Sequence, residues 1–140
     1  MSTTTTISFT KMVGAGNDFL IVPSQRDRSA SLTRRWSAIA RAVCDRRQGI
    51  GADGLLLLEP SRFGDARMRV FNPDGSEAEM CGNGARCVVR YLAARARRHN
   101  GAVMLETAGG AVKGWARGER VQLQLADPTQ VHLGLEIPVG

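Results

Sequence analysis

Cys81 is the residue of this sequence best placed for chemistry, because Gly82, Asn83 and Gly84 follow it at once and the apolar period of a helix begins directly afterwards. A helix N-terminus presents backbone N–H groups that lack intrahelical acceptors, together with the positive end of the macrodipole. A cysteine at such a position is commonly more acidic than a free one, which brings thiolate within reach near neutral pH. The same N–H groups can seat a carboxylate. Gly82 and Gly84 carry no Cβ, so a ligand can approach the backbone closely, and Asn83 sets a neutral amide between them. The motif therefore offers an acid–base group and an anion seat side by side. That suits a small amino acid whose carboxylate rests on the helix end while the thiol faces its α-carbon. Removing the weakly acidic α-proton builds charge on the carboxylate, and donors aimed at it lower the barrier. The residue pattern alone is met equally by a small apolar Cys81 in a C-G-N-G loop. Cys87 lies six residues further on, about 240° round a helix and about 9 Å along it, and is expected to pack in the core, as is Cys44 on the preceding helix.

The elements that must hold this motif can be read on both sides of it. Ile7 to Pro23 reads as strand, glycine turn, strand: ISFTKM, VGAGN, DFLIVP. Ser31 is placed to cap a helix through LTRRWSAIARAVCD, with Leu32, Trp36, Ile39, Ala40 and Val43 at helical spacing, stopping near Gln48-Gly49. LLLLE at 55 to 59 is too short for a helix and precedes Pro60, so it reads as a buried strand. ARMRVF at 66 to 71 alternates before an Asn-Pro-Asp-Gly turn. A second helix is expected from Gly82 to about Arg98, with Ala85, Val88, Val89, Leu92, Ala93 and Ala96 inward and Arg86, Arg90, Arg95 and Arg97 mostly outward. Strands AVMLET, AVKGWA and RVQLQL follow, separated by glycines. The expected architecture is α+β, a mixed, largely antiparallel sheet wrapped around a central helix.

The bulk numbers narrow the function classes. A chain of 140 residues fits one domain with its own core. No run of about 18 apolar residues and no signal segment occurs, so the expected location is cytoplasmic, with no membrane partner. Three cysteines is an odd count and argues against a disulfide framework. The net charge of +6 raises nucleic acid as a partner, but the arginines are scattered and no aromatic interleaves with them as a stacking platform. A solvated basic surface is the expectation, with no nucleic-acid partner.

Two further motifs invite wrong readings. Gly49 to Gly54, GIGADG, matches the G-x-G-x-x-G fingerprint letter for letter. A dinucleotide site needs a strand before it and a helix after it; here the order is reversed, and a tight glycine turn is the better account. Cys44, Cys81, Cys87, His99 and His132 lack the paired spacing of a zinc site, so no metal is expected. No serine elbow supports acyl transfer.

Several separated stretches then agree with one family. FTKMVGAGNDFLIV, CDRRQGIGADGLL at 44 to 56, MRVFNPDGSEAEMCGNGARC at 68 to 87 and LETAGG at 105 to 110 together resemble diaminopimelate epimerase, in family order. The resemblance implies cofactor-independent interconversion of LL- and meso-diaminopimelate, in lysine and peptidoglycan precursor synthesis. It implies a fold of two pseudo-symmetric halves, each a sheet around a central helix, with substrate in the cleft between them. Cys81 would be one of two catalytic cysteines, Gly82 and Asn83 would seat the reacting carboxylate, and Asn17 and Asn72 would bind the rest of the substrate. Gly54 falls where some members carry a substrate-contacting glutamine, so no side-chain contact is assigned to it.

Members of that family are about twice this long, and their second half supplies the other cysteine. Residues 1–6 are expected to be a tail, 7–126 an N-terminal epimerase domain, and 127–140 the start of the passage to another half. Inversion without a cofactor needs acid–base groups on both faces of the carbon, and neither Cys87 nor Cys44 is placed to be the second. Three readings remain. The chain is half of an epimerase that needs its complementary half; or two copies dimerise so that two Cys81 thiols share one site; or the helix end serves a carboxylate-binding protein or a related isomerase.

Overall fold

The computed structural model describes residues 6–24, 30–97 and 101–140, without the side chains of residues 30–33. The expected tail at 1–6 lies almost wholly outside the described residues, as do His99 and Arg98. Strands β1 (Thr10–Gly14) and β2 (Asn17–Pro23) form an antiparallel hairpin. Its two-residue turn has both Ala15 (φ 49°) and Gly16 (φ 88°) in the left-handed region, the geometry that matches strand twist. Helix α1 (Ala30–Cys44) carries the chain across to β3 (Gly54–Glu59), parallel to β2. Then come β4 (Ala66–Phe71), the short β5 (Glu77–Ala78), helix α2 (Gly82–Arg95), and β6 (Ala102–Thr107), β7 (Gly110–Arg117) and β8 (Arg120–Gln124). The sheet order is β1-β2-β3-β4-β6-β7-β8, with β5 beside β4. Two parallel pairings, β2 with β3 and β4 with β6, sit among antiparallel ones.

The strands around the middle explain why α2 is central. Phe19, Ile21, Leu56, Leu58, Met68 and Val70 form one cluster with Ala85, Val88 and Val89 of α2. The alternate residues Leu20, Val22, Leu55, Leu57 and Phe71 form another with Ala40 and Cys44 of α1. Successive side chains of a strand face opposite ways, so LLLL reads as a continuous apolar run only because both faces are covered by helices. The far strands curl round to meet α2 from the other side, where Val103, Leu105 and Val112 join its cluster. A Cβ on Gly114 of β7 would come within 2.5 Å of Val89 Cγ2, which is how closely the sheet wraps the helix.

Several expectations shift at element ends. The first helix begins at Ala30, so Ser31 falls inside it and is not the cap. Helix α2 ends at Arg95 with Ala96 as its C-cap, three residues short of the expected end, and Ala96 is exposed in consequence. Tyr91 takes an inward position that the apolar count omitted; Arg95 lies over its ring, 4.3 Å from the centroid. Strand β5 is too short to show a period. Cys44 and Cys87 are both 2% exposed, as helical spacing predicts. Among the described residues no helix is long and apolar enough to cross a membrane.

Candidate active site

Cys81 is the N-cap of α2, in an extended conformation (φ −139°, ψ 113°). Its carbonyl accepts from Ala85 N at 2.8 Å and its Sγ accepts from Gly84 N at 3.3 Å. The bond from Ala85 is the first of the helix; the N–H groups before it have no intrahelical acceptor, and that of Gly84 is satisfied by the cap side chain. The N–H groups of Gly82 and Asn83 have no protein acceptor among the described residues and remain directed out of the helix end. The thiol is half-buried, unlike the other two cysteines.

The glycines flanking Asn83 differ in role. A Cβ on Gly82 would meet nothing within 4 Å, whereas one on Gly84 would lie 3.0 Å from Leu56 Cδ2. Gly82 is the position of close ligand approach. Gly84 is instead a packing glycine that lets α2 settle on β3, which corrects the expectation that both serve the ligand. Gly14 is a third contact of this kind, since its Cβ would come 2.7 Å from Cys87 Sγ and 2.9 Å from the Asn83 carbonyl oxygen. It brings the β1–β2 turn against the first turn of α2.

That approach delivers Asn17. Asn83 Nδ2 donates to Asn17 Oδ1 at 2.8 Å, and Asn17 Nδ2 donates to Asp53 Oδ2 at 3.0 Å. Behind them Asp18 and Asp53 exchange backbone-to-carboxylate bonds, Asp18 N to Asp53 Oδ2 at 3.1 Å and Asp53 N to Asp18 Oδ1 at 3.0 Å. Arg46 grips both Asp18 oxygens, at 3.1 and 2.8 Å, and Asp53 Oδ1 at 3.1 Å. Lys11 Nζ lies 3.3 Å from Asp18 and donates to the Gly51 carbonyl at 2.8 Å. Gly109 in the β6–β7 turn donates to the Glu79 carbonyl and lies against Met80, so the LETAGG segment packs on the residues just before Cys81.

Of the candidate residues, the structure brings Cys81, Gly82, Asn83 and Asn17 together. Asn72 stands apart from that network. Its Nδ2 donates to Ser76 Oγ at 3.0 Å and its backbone N–H to the Ser76 carbonyl, within the turn closed by Gly75 N donating to Asn72 O. Lys11, Asp18, Arg46 and Asp53 were missed. Asp53 sits inside GIGADG, whose glycines mark a turn but whose carboxylate has no partner visible in one dimension. A cavity of about 500 Å³ lies elsewhere, between β1, α2 and the β7–β8 turn, lined by Arg86, Cys87, Arg90 and Arg120 among others, and does not touch the helix mouth. Among the described residues no group of three metal-ligating side chains gathers.

Burial pushes the Cys44 and Cys87 thiols up. Iodoacetamide at pH 8 is therefore expected to modify Cys81 at least about tenfold faster than either, as peptide mapping by mass spectrometry would report; preferential labelling of Cys87 would contradict this geometry. The Arg46 guanidinium, foremost, holds the Asp18 carboxyl well below the usual carboxylate range against the opposing effect of burial. A depressed carboxyl contributes stability that is present above its unfolded value of about 3.9 and lost as pH falls towards its folded value. Asp18→Asn should lower the urea midpoint at pH 7 and flatten its fall below about pH 4; an unchanged acid limb would assign that fall to other groups.

A mixed sheet curled around one helix is the α+β fold class of this chain, and it has solved counterparts. Solved structures with this fold include a hydroxyproline epimerase from Agrobacterium vitis with bound trans-4-hydroxy-L-proline (TM-score 0.62, 20% identity, 84% of this chain and 40% of that one) and a probable proline racemase from Agrobacterium radiobacter K84 (TM-score 0.63, 20% identity, 84% and 41%). The sequence narrows the class: the diaminopimelate epimerase family model matches residues 9–129, and the chain belongs to the diaminopimelate epimerase family. It is 52% identical over 107 residues to the diaminopimelate epimerase of Desulforudis audaxviator, and 43% identical over 122 residues to that of Rhizorhabdus wittichii. These matches cover 76% and 87% of this chain but only 37% and 41% of the relatives. The chain thus spans about two fifths of the length of the curated relatives it matches.

Proposed function

We propose that this chain supplies one half of a diaminopimelate epimerase site, in which Cys81 acts as acid or base on one face of the substrate α-carbon without a cofactor. The observation that carries this reading is the geometry at the start of α2, where a half-buried thiol caps the helix beside two backbone N–H groups that have no protein acceptor among the described residues and a Gly82 that opens onto free space. A carboxylate seated on the Gly82 and Asn83 N–H groups would hold the α-carbon near Sγ. As the thiolate removes the α-proton, the carboxylate gains charge, and the N–H groups stabilise that charge where it develops. Asn17 and Asn83 bind polar groups of the substrate. In this reading Asn72 contributes through Oδ1, since its Nδ2 is turned to Ser76.

Inversion needs a second acid–base group on the opposite face, because one thiol returns the proton to the side it left. Cys87 is packed under Gly14 and Cys44 is buried at the last residue of α1, so the second group comes from a complementary half. The fraction of the relatives' length that the chain covers supports this. So does the segment after β8, which has no helix or strand and leaves Leu133, Leu135, Ile137 and Val139 exposed, as a passage from a domain at 7–126 towards another half would. We place the activity in the cytoplasm, on a free amino acid. The test is epimerisation of diaminopimelate by the chain with and without the C-terminal half of a family member. Turnover only in the mixture is expected. Turnover by the chain alone, at the same rate, would point instead to two copies sharing one site, and sedimentation would then have to find a dimer.

A further inference from the structure

We infer that Asp53, held by Arg46 and the Asp18 backbone, is a positioning residue that fixes which way the Asn17 and Asn83 amides face, and through them the hydrogen-bond polarity of the helix mouth. The inference deepens the epimerase reading and rests on it for its catalytic consequence alone.

The argument is one of donors and acceptors. An ionised carboxylate can only accept, whereas a carboxamide can turn either its oxygen or its NH2 to a neighbour. Asp53 Oδ2 therefore accepts from Asn17 Nδ2, at 3.0 Å. Asn17 is then left with Oδ1 facing Asn83, which must donate, and Asn83 Nδ2 does so at 2.8 Å. Asn83 keeps its own Oδ1 and one N–H without a protein partner among the described residues, on the residue next to Gly82. Turning either amide over would set donor against donor or acceptor against acceptor.

Asp53 is itself fixed from three sides. Its Oδ1 accepts from Arg46 Nη2 at 3.1 Å, its Oδ2 also accepts from Asp18 N at 3.1 Å, and its own N–H donates to the Asp18 carbonyl at 2.8 Å and to Asp18 Oδ1 at 3.0 Å. The Arg46 side chain is 57% exposed and that of Asp53 39%. Exposed ion pairs add little to stability, so bracing the fold is a poor account of the Arg46–Asp53 pair. Holding an orientation is a better one, because small displacements of catalytic groups can cost about 100-fold in rate.

The experiment is NMR of the carboxamide protons of Asn17 and Asn83 in the full chain, in wild type, Asp53→Ala and Asp53→Asn. In wild type one carboxamide proton of each asparagine should exchange slowly with solvent, at least about tenfold slower than an exposed amide. Asp53→Ala should move the Asn83 resonances and remove that protection although residue 53 does not touch Asn83; Asp53→Asn, which retains one acceptor, should restore both. With the complementary half present, Asp53→Ala should lower kcat about tenfold or more with little change in KM, and Asp53→Asn should recover most of it. Unmoved Asn83 signals in a folded Asp53→Ala chain would overturn the relay. Unprotected amides in wild type would overturn it too, and that readout stands even if Asp53→Ala does not fold. If wild type shows no epimerisation at all, the epimerase reading fails while the NMR result still decides the relay.

Discussion

Cys81→Ser, assayed with the complementary half, is expected to lower the epimerisation rate by about 10²–10⁴-fold while the fold stays intact, the range typical of losing one positioned acid–base group. The two halves of that expectation come from one bond. Cys81 Sγ accepts from Gly84 N, and a serine hydroxyl accepts equally well at an N-cap, where serine is among the preferred residues. The helix end and its free N–H groups therefore survive, and substrate binding, read as KM, should change little. What disappears is the sulfur that would carry the proton, because a serine hydroxyl is a far weaker acid than a thiol. Urea midpoints would check the first half and kcat the second. A serine variant that kept kcat within about threefold would remove the thiol from the chemistry.

Phe71→Ala should destabilise the chain by about 3–5 kcal/mol, the range for deleting a buried aromatic. Phe71 is the largest of the fully buried side chains, 0% exposed, and ends β4 in the cluster beneath α1. Its outward face is covered by Arg69, whose guanidinium lies 5.2 Å from the ring centroid while bonding Glu77 and Glu59. Truncation leaves a cavity that neither α1 nor the Arg69 pairs can fill. Domains of this size have about 5–15 kcal/mol in total, so much of the chain should be unfolded at 37 °C, as circular dichroism against urea would report. A loss below about 1 kcal/mol would mean that α1 collapses into the gap and is less firmly held than its packing indicates.

These two residues mark the limits of what one dimension reveals. Cys81 was legible because glycine, asparagine and the onset of helical period all fall within four letters, and local chemistry decides a cap. The central position of α2 was legible from its apolar stripe, and LLLLE from its length. Phe71 was legible as apolar but not as the floor of a second cluster, since the face it takes depends on the pairing of Leu55 with Phe71 across β3 and β4. The relay through Asn17, Asp53 and Arg46 was illegible for a similar reason: its members come from β2, the loop before β3 and the loop after α1, and only the parallel pairing of β2 with β3 sets Asp18 beside Asp53. Asn72 shows the converse, a residue singled out by the family resemblance whose bond to Ser76 was not legible. Ala96 was misread because periodicity carries on past the point where a helix ends.

The central claim is that the Cys81 sulfur exchanges a proton with the α-carbon of a bound amino acid. Solvent deuterium uptake at that carbon, followed by proton NMR of diaminopimelate in D2O with the complementary half present, measures it directly. Deuterium should enter the α-position of the wild-type reaction and fall to background in Cys81→Ala. Undiminished uptake in that variant would contradict the account.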